Sequence, residues 1–480
     1  MATVKKHTAK DGTVTYYIRA YNGYDGNGKQ IEHYMKWEPK PGMSEKAINK
    51  ELEHQKALFE EKIKRNMVFD SNTTFGEYAK KWLENNKVNF APKTYQRYKG
   101  LLVNIDKAIG GIKLVKLQPQ HLMSFYNNLR EEGVNQRGNY AISESLDDLI
   151  KRKGVTKESL AEKAGIGIVT LRTACRGKHI SIGSAQAIAK ALKMSVKKIF
   201  ELNYSRKSYS EKTILHYHRL IGVILKQAAM EELIPKNIAS KDYIKAPRVM
   251  RKEAVFLEDT DVAMVIKLLQ KEHIRWRTAV MLLLYSGMRR GELMGIEWKD
   301  IDFDNKVIHI RRASQFVAGI GIITKDTKNV SSQRTIGLPE EAFDILMKYK
   351  AYCDEIKERL GDYYVKTIEI TYPDGKKERV INDRVFAAED GSLMNPDSIS
   401  AWMKRFVEKN DLPKFTPHSL RHTNASLMIA NGVNVATVSK RLGHATVNTT
   451  TRVYSHAIQS ADAKAANILS EKINLLNNLD

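Results

Sequence analysis

Five residues in the C-terminal half of the chain have the types and order to break a phosphodiester without a metal. That reaction needs a nucleophile, fixed positive donors for the non-bridging oxygens as charge builds, and an acid for the departing oxygen. YSGMRRGEL sets Arg289 beside a glycine turn at the end of an apolar helix, AVMLLLYSG. PHSLRHTNA places His418 and Arg421 one helical turn apart, and RLGHATVNTTTRVYSH supplies His444 and then Tyr454. Guanidiniums are planar, permanently charged forks that match phosphate oxygens better than two lysines would. A tyrosine hydroxyl, with an unperturbed pKa of ~10, must lose its proton as it attacks, helped by cationic neighbours. Alone, each fragment has a plainer reading: Tyr454 as a packing residue, Arg289 and Arg290 as a basic surface pair. His418 and His422 stand at i and i+4 as in a zinc-protease helix, but His-Ser-Leu-Arg-His lacks the intervening glutamate, so no metal site is expected.

Order and spacing together resemble the tyrosine recombinase family, which includes phage integrases and integrases of conjugative transposons. The resemblance implies that Arg289 and Arg421 are clamping arginines, that His418 and His444 share their pocket, and that Tyr454 is the nucleophile of a 3′-phosphotyrosyl link. Lys328, in TKNVSSQRTIGLP, completes the set because it precedes Arg334 by six residues, as the family's mobile hairpin lysine precedes its arginine; Lys325 is the competing choice. Glu292 resembles the acidic residue that supports this pocket from behind, and would equally suit an exposed helix carboxylate. Also implied are double-stranded DNA attachment sites as partner, strand exchange in a tetramer, and an accessory excision or host DNA-bending factor. Because a phosphotyrosine ester keeps the bond energy, no cofactor is expected, and no Gly-rich nucleotide loop points to ATP.

Several units must position these residues, since 480 residues exceed one ordinary domain. The 79 Lys and Arg against 55 Asp and Glu give +24, which suits a partner as densely negative as a duplex. Two cysteines, Cys175 and Cys353, are too few for a disulfide framework or a cysteine zinc cluster and fit a reducing compartment. MATVKKHTAK has no apolar stretch after its charges, and no run of eighteen apolar residues occurs. Neither export nor membrane insertion is expected; the setting anticipated is a bacterial cytoplasm, at the nucleoid.

The fold class expected is multidomain, mainly α with small β-sheets (α+β). Residues 1–70 alternate polar and apolar residues around Asp25-Gly26-Asn27-Gly28 and then take a helical period from Ser44: a three-stranded sheet backed by a helix, similar to an arm-type DNA-binding domain. Residues 73–140 and 205–247 read as one all-α core-binding unit, with Tyr78, Trp82, Tyr98, Leu101 and Ile105 as core. Residues 142–202 interrupt it with their own helical grammar, punctuated by Gly154, Gly165 and Gly177, and resemble a Cro-type helix-turn-helix domain. Ile168, Val169, Arg172 and Thr173 lie on the face that would read a groove; Gly167 and Cys175 depart from the repressor pattern. Residues 253–480 form a mixed catalytic unit with β-hairpins near Val307–Ile336 and at Tyr372-Pro373-Asp374-Gly375. The tail after Tyr454 has helical apolar spacing at Ala461, Ala465, Leu469, Ile473 and Leu476, suited to docking on a neighbouring subunit or on its own domain.

Overall fold

The computed structural model describes residues 2–8, 14–24, 30–40, 42–64, 73–135, 139–204, 207–250, 255–326 and 333–455, with residues 458, 470 and 473. Lys328, the 25–28 turn and nearly all of the tail after Tyr454 lie outside the described residues. The chain divides into two units, residues 1–87 with 97–250 and residues 88–96 with 251–480.

In the first unit, strands β1 (Thr3–Thr8), β2 (Val14–Tyr24) and β3 (Gln30–Trp37) form an antiparallel sheet, followed by helix α1 (Glu45–Lys64). Period-two alternation sends Tyr16, Ile18 and Ala20 inward against Leu52, Phe59 and Ile63 of α1. The other face aligns Lys5, Tyr17 and Lys36 in one row and Thr3, Arg19 and Tyr34 in the next. Arg19 lies over the Tyr21 ring, 4.8 Å from its centroid, and pairs with Glu32.

Helices α2 (Phe75–Asn85), α3 (Pro92–Ile105) and α4 (Pro119–Arg130) precede the insert, and α10 (Glu211–Met230) follows it. Thr74 caps α2 in a reciprocal capping box with Glu77. Tyr78, Trp82, Leu101 and Ile105 are buried, with Tyr98 beside Trp82. Polar tips are satisfied across the gap in sequence: Tyr78 donates to Glu231 at 2.7 Å and Asn104 to Tyr217 at 2.8 Å. Helix α10 therefore completes a core begun more than eighty residues earlier.

Between them, β4 (Tyr140–Ile142) and β5 (Glu201–Asn203) pair antiparallel, so both ends of the insert leave from one two-stranded neck. Five helices lie above it: α5 (Leu146–Arg152), α6 (Lys157–Ala164), α7 (Ile168–Cys175), α8 (Ile182–Ala191) and α9 (Val196–Ile199). Thr156 and Ser181 cap α6 and α8, and Gly165 closes α6 in the left-handed conformation. Leu146, Ile150, Leu160, Leu171, Ile188 and Phe200 make its private core.

The second unit is built on α12 (Ile274–Ser286), whose residues 278–284 are all buried, as befits a helix apolar on every face. Around it lie α11 (Asp259–Leu269), the four-residue α13 (Arg290–Leu293), the long α14 (Glu340–Leu360) and α15 (Ser398–Lys409). They are followed by α16 (Pro417–Ala430), α17 (Val435–Leu442) and α18 (Val447–Val453). Strands β6 (Ile301–Asp302), β7 (Val307–Ile310) and β10 (Arg334–Gly337) form one sheet, in the order β10-β7-β6. Strands β8 (Arg312–Val317), β9 (Gly321–Asp326), β11 (Thr367–Thr371) and β12 (Lys377–Ile381) form another, in the order β12-β11-β9-β8. β8 and β9 are a true hairpin, and β11 and β12 turn at Tyr372–Lys376 as the Pro-Asp-Gly signal indicates. The strands on either side of Lys328 differ from a simple hairpin: β9 pairs with β8 and β11, whereas β10 pairs with β7. Among the described residues no helix is long and apolar enough to cross a membrane.

Candidate active site

Arg289 follows directly from local chain geometry. Helix α12 ends at Gly287, φ +63°, and two residues on Arg289 caps α13. Glu292 folds back on it, accepting from the Arg289 backbone N–H at 2.8 Å and from Nη1 at 2.7 Å. Glu292 is only 3 % exposed and is also held by Arg334 of β10, at 2.8 and 3.2 Å. Burial alone would raise its carboxyl; the Arg334 hydrogen bond and charge, with the Arg289 contacts, outweigh this and hold it below the usual carboxylate range. The exposed-carboxylate reading of Glu292 is thus replaced by a buried one, ionised between two guanidiniums.

Helix α16 begins at Thr416, whose hydroxyl accepts from Ser419 N, with Pro417 at the first helical position. His418 is exposed on the first turn, and one turn on Arg421 is 1 % exposed, donating to Gly287 O at 2.8 Å and Leu442 O at 2.7 Å. Burial, then the Arg289 charge, lower Arg421 to about 10, so it stays protonated at neutral pH.

Three arginines converge on the end of α17. Arg334 Nε donates to Arg441 O at 2.7 Å, Arg421 to Leu442 O, and Arg289 Nη2 to Gly443 O at 3.0 Å. Successive carbonyls at a helix C-terminus carry partial negative charge and lack intrahelical partners, so guanidiniums satisfy both needs. This clasp fixes His444, which follows the left-handed Gly443 and whose Nδ1 meets Thr450 Oγ1 at 2.8 Å. Burial and the fields of Arg421 and Arg289 bring His444 down to about 4, leaving it neutral.

Tyr454 ends α18 and is 1 % exposed, its ring among Ala425, Ile429, Val438 and Leu442. Burial pushes its phenol up to about 12 against the opposing field of Arg421. Its hydroxyl lies 2.8 Å from Nδ1 of His422, a residue that the sequence motifs assigned no role. The spacing of His422 on α16, four residues after His418, was the available signal.

Arg289, Ser400, Thr416 and His418 line an open cavity of about 360 Å³, while Arg334 and His444 line a neighbouring opening of about 670 Å³. The structure therefore joins Arg289, Glu292, Arg421 and the His444 loop through direct hydrogen bonds, and ties Tyr454 to the same helix as Arg421 through His422. Lys325 is exposed on β9, opposite Ala313. Among the described residues no cluster of three or more His, Cys, Asp or Glu is placed to hold a metal.

On the insert, Ile168 packs partly against its own core, whereas Val169 is 73 % exposed. Arg172 pairs with Glu158 at 3.0 Å, and the Thr173 hydroxyl donates to Val169 O at 2.7 Å. Both polar residues expected to face a groove are engaged within the domain.

Gly287 is the backbone hinge of the site. A Cβ there would lie 2.6 Å from Asn424 Oδ1 and 2.8 Å from a Leu442 methyl, in a left-handed conformation. Gly287→Ala should lower unfolding stability by at least about 1–2 kcal/mol from the left-handed strain alone. Urea unfolding reads this out, and an unchanged midpoint would show that the turn relaxes freely.

Residues 256–460 match the phage integrase family, residues 74–130 the phage integrase N-terminal SAM-like domain, and residues 145–204 the Cro/C1-type HTH DNA-binding domain. A tyrosine recombinase XerC-like protein of Caldanaerobacter subterraneus subsp. tengcongensis is 25% identical over 298 residues, covering 58% of this chain and 72% of that protein. The ICEBs1 integrase of Bacillus subtilis is 24% identical over 262 residues, covering 55% and 66%. A solved structure of the Tn1549 transposon integrase with circular intermediate DNA aligns over 83% of this chain and 100% of that one, with TM-score 0.55 and 17% identity, which is a likeness of fold. With its catalytic, SAM-like and helix-turn-helix segments each matched in turn, the chain belongs to the phage integrase family of tyrosine recombinases.

Proposed function

We propose that the protein is a site-specific DNA integrase that cuts and rejoins attachment sites through a 3′-phosphotyrosyl link at Tyr454. The observation that carries this reading is the shared hydrogen-bond network of Arg289, Glu292, Arg334 and Arg421 around the loop bearing His444, on the same helices that hold Tyr454. Arg289 and Arg421 take the non-bridging oxygens, with His418 and His444 as further donors. Lys328 protonates the departing 5′-oxygen. Glu292, held in turn by Arg334, keeps Arg289 oriented, and the carbonyls of Gly287 and Leu442 keep Arg421 oriented. The test is a suicide substrate, a nicked attachment core whose cut strand diffuses away: a covalent protein–DNA adduct formed in EDTA supports the reading, and its absence with intact DNA binding refutes it.

The remaining segments extend the DNA contact. The outer face of the N-terminal sheet, with Lys5, Tyr17, Arg19, Tyr34 and Lys36, suits a ribbon laid in a groove. The helical unit of α2–α4 and α10 serves as a core-binding domain, and four copies carry out sequential strand exchange on two sites. An accessory excision or host bending factor would act on that assembly.

The insert is proposed as an added DNA-binding module, with twelve Lys and Arg against six Asp and Glu in residues 142–202. Its Arg172 must then exchange Glu158 for a phosphate or base, while Val169 presents an apolar surface to a thymine methyl. Because β4 and β5 pair at its neck, a short Gly/Ser linker can replace residues 142–202 without pulling α4 and α10 apart. The shortened protein should cleave the suicide substrate at a near-normal rate and lose site affinity or recombination on native sites. Unchanged affinity and recombination would remove the insert from DNA recognition.

A further inference from the structure

We propose that His422 is the proton acceptor for Tyr454 in strand cleavage. The inference rests on Tyr454 being the nucleophile, and it supplies the base that the constellation read from sequence leaves unassigned. Tyr454 Oη lies 2.8 Å from His422 Nδ1, and with the ring proton on Nε2 the phenol donates to that nitrogen. The other groups of the site face other partners or the open cavity. His444 Nδ1 is held by Thr450, His418 stands exposed at the cavity rim beside Arg289, and Arg421 has only donors.

The contact is built on both sides. His422 is carried by α16, whose Ala425 and Ile429 contribute to the pocket around the Tyr454 ring, so acceptor and phenol are positioned by one helix. The His418 ring meets His422 edge-on with centroids 4.4 Å apart, restricting its rotation. Burial, His418 and Arg421 bring His422 down to about 4, so at neutral pH the imidazole is unprotonated and free to accept. An arriving phosphodiester opposes the Arg421 field and strengthens the imidazole as a base.

The step balances. The Tyr454 O–H proton passes to His422 Nδ1 as the Oη–P bond forms; the P–O5′ bond breaks, and O5′ takes a proton from the general acid. Religation runs the same transfers backwards, His422 returning the proton to the phenol.

The test measures single-turnover cleavage of the suicide substrate by the full chain carrying His422→Gln, which offers a side-chain acceptor that takes up no proton. General-base catalysis is typically worth about 10²- to 10⁴-fold, so the rate should fall by about 10²-fold or more while DNA affinity is unchanged. Replacing Tyr454 by a more acidic fluorotyrosine should recover much of the loss in the His422→Gln background, because the nucleophile then needs less help to ionise. A His422→Gln protein that cleaves at the wild-type rate overturns the proposal. So does one that is slow yet insensitive to the acidity of the phenol, since its defect would be one of packing. Tyr454→Phe run in parallel separates the two levels: an adduct formed by that variant fails the nucleophile assignment itself, whereas an inert Tyr454→Phe beside a fully active His422→Gln fails only the proton acceptor.

Discussion

Tyr454→Phe should bind core DNA as the parent does and form no covalent adduct, a complete loss on a denaturing gel. The substitution removes one oxygen from a ring packed by Ala425, Ile429, Val438 and Leu442, and leaves those contacts in place. What is lost structurally is the hydrogen bond to His422, leaving one imidazole nitrogen unsatisfied at a cost of about 1–3 kcal/mol. That is too little to unfold a unit with so extensive a core, so folding and binding act as internal controls. The neighbouring Thr450 hydroxyl is buried and engaged with His444. Adduct persisting at unchanged yield would exclude Tyr454 as nucleophile.

Some helix ends were legible because they are written locally. Gly165 and the glycine turn before Arg289 each close a helix in the left-handed conformation. The proposed constellation was drawn from its order along the chain, which is distinctive even where each fragment is weak. What the sequence could not display is which hydrogen bonds join the fragments. Glu292 read as either a support or an exposed helix carboxylate; only Arg334, forty-two residues away, makes it a buried ion between two arginines. The clasp of Arg289, Arg334 and Arg421 on three successive carbonyls has no sequence signature, since any residue supplies a carbonyl.

His422 escaped for the same reason. Its spacing from His418 suggested a metal pair and was set aside for want of a glutamate, while its partner lies thirty-two residues on. The hairpin region expected near Val307–Ile336 is present in β8 and β9, but the further pairing is non-local, and β9 and β10 entered different sheets. On the insert, helical spacing gave the exposed face of α7 and could not show that Glu158 of α6 would reach Arg172.

Arg289→Ala and Arg421→Ala should both depress cleavage by about 10²- to 10³-fold, the usual loss when one preorganised oxyanion donor is removed, yet they should part company in stability. Arg289 is solvent-exposed, and its partner Glu292 keeps Arg334 when it is gone. The variant should therefore unfold near the parent's urea midpoint, with the deficit confined to the chemical step. Arg421 is buried and satisfies Gly287 O and Leu442 O, so alanine orphans two carbonyls and opens a void beside Tyr454. Each unsatisfied buried acceptor costs about 1–3 kcal/mol, and the midpoint should fall accordingly. Arg421→Lys separates the contributions, because lysine restores charge and one donor at a time but cannot span both carbonyls while facing a phosphate. It should recover part of the stability and little of the rate. Wild-type cleavage by either alanine variant would sink the clamp assignment, and equal stability of the two would mean that Arg421 does not anchor the end of α17.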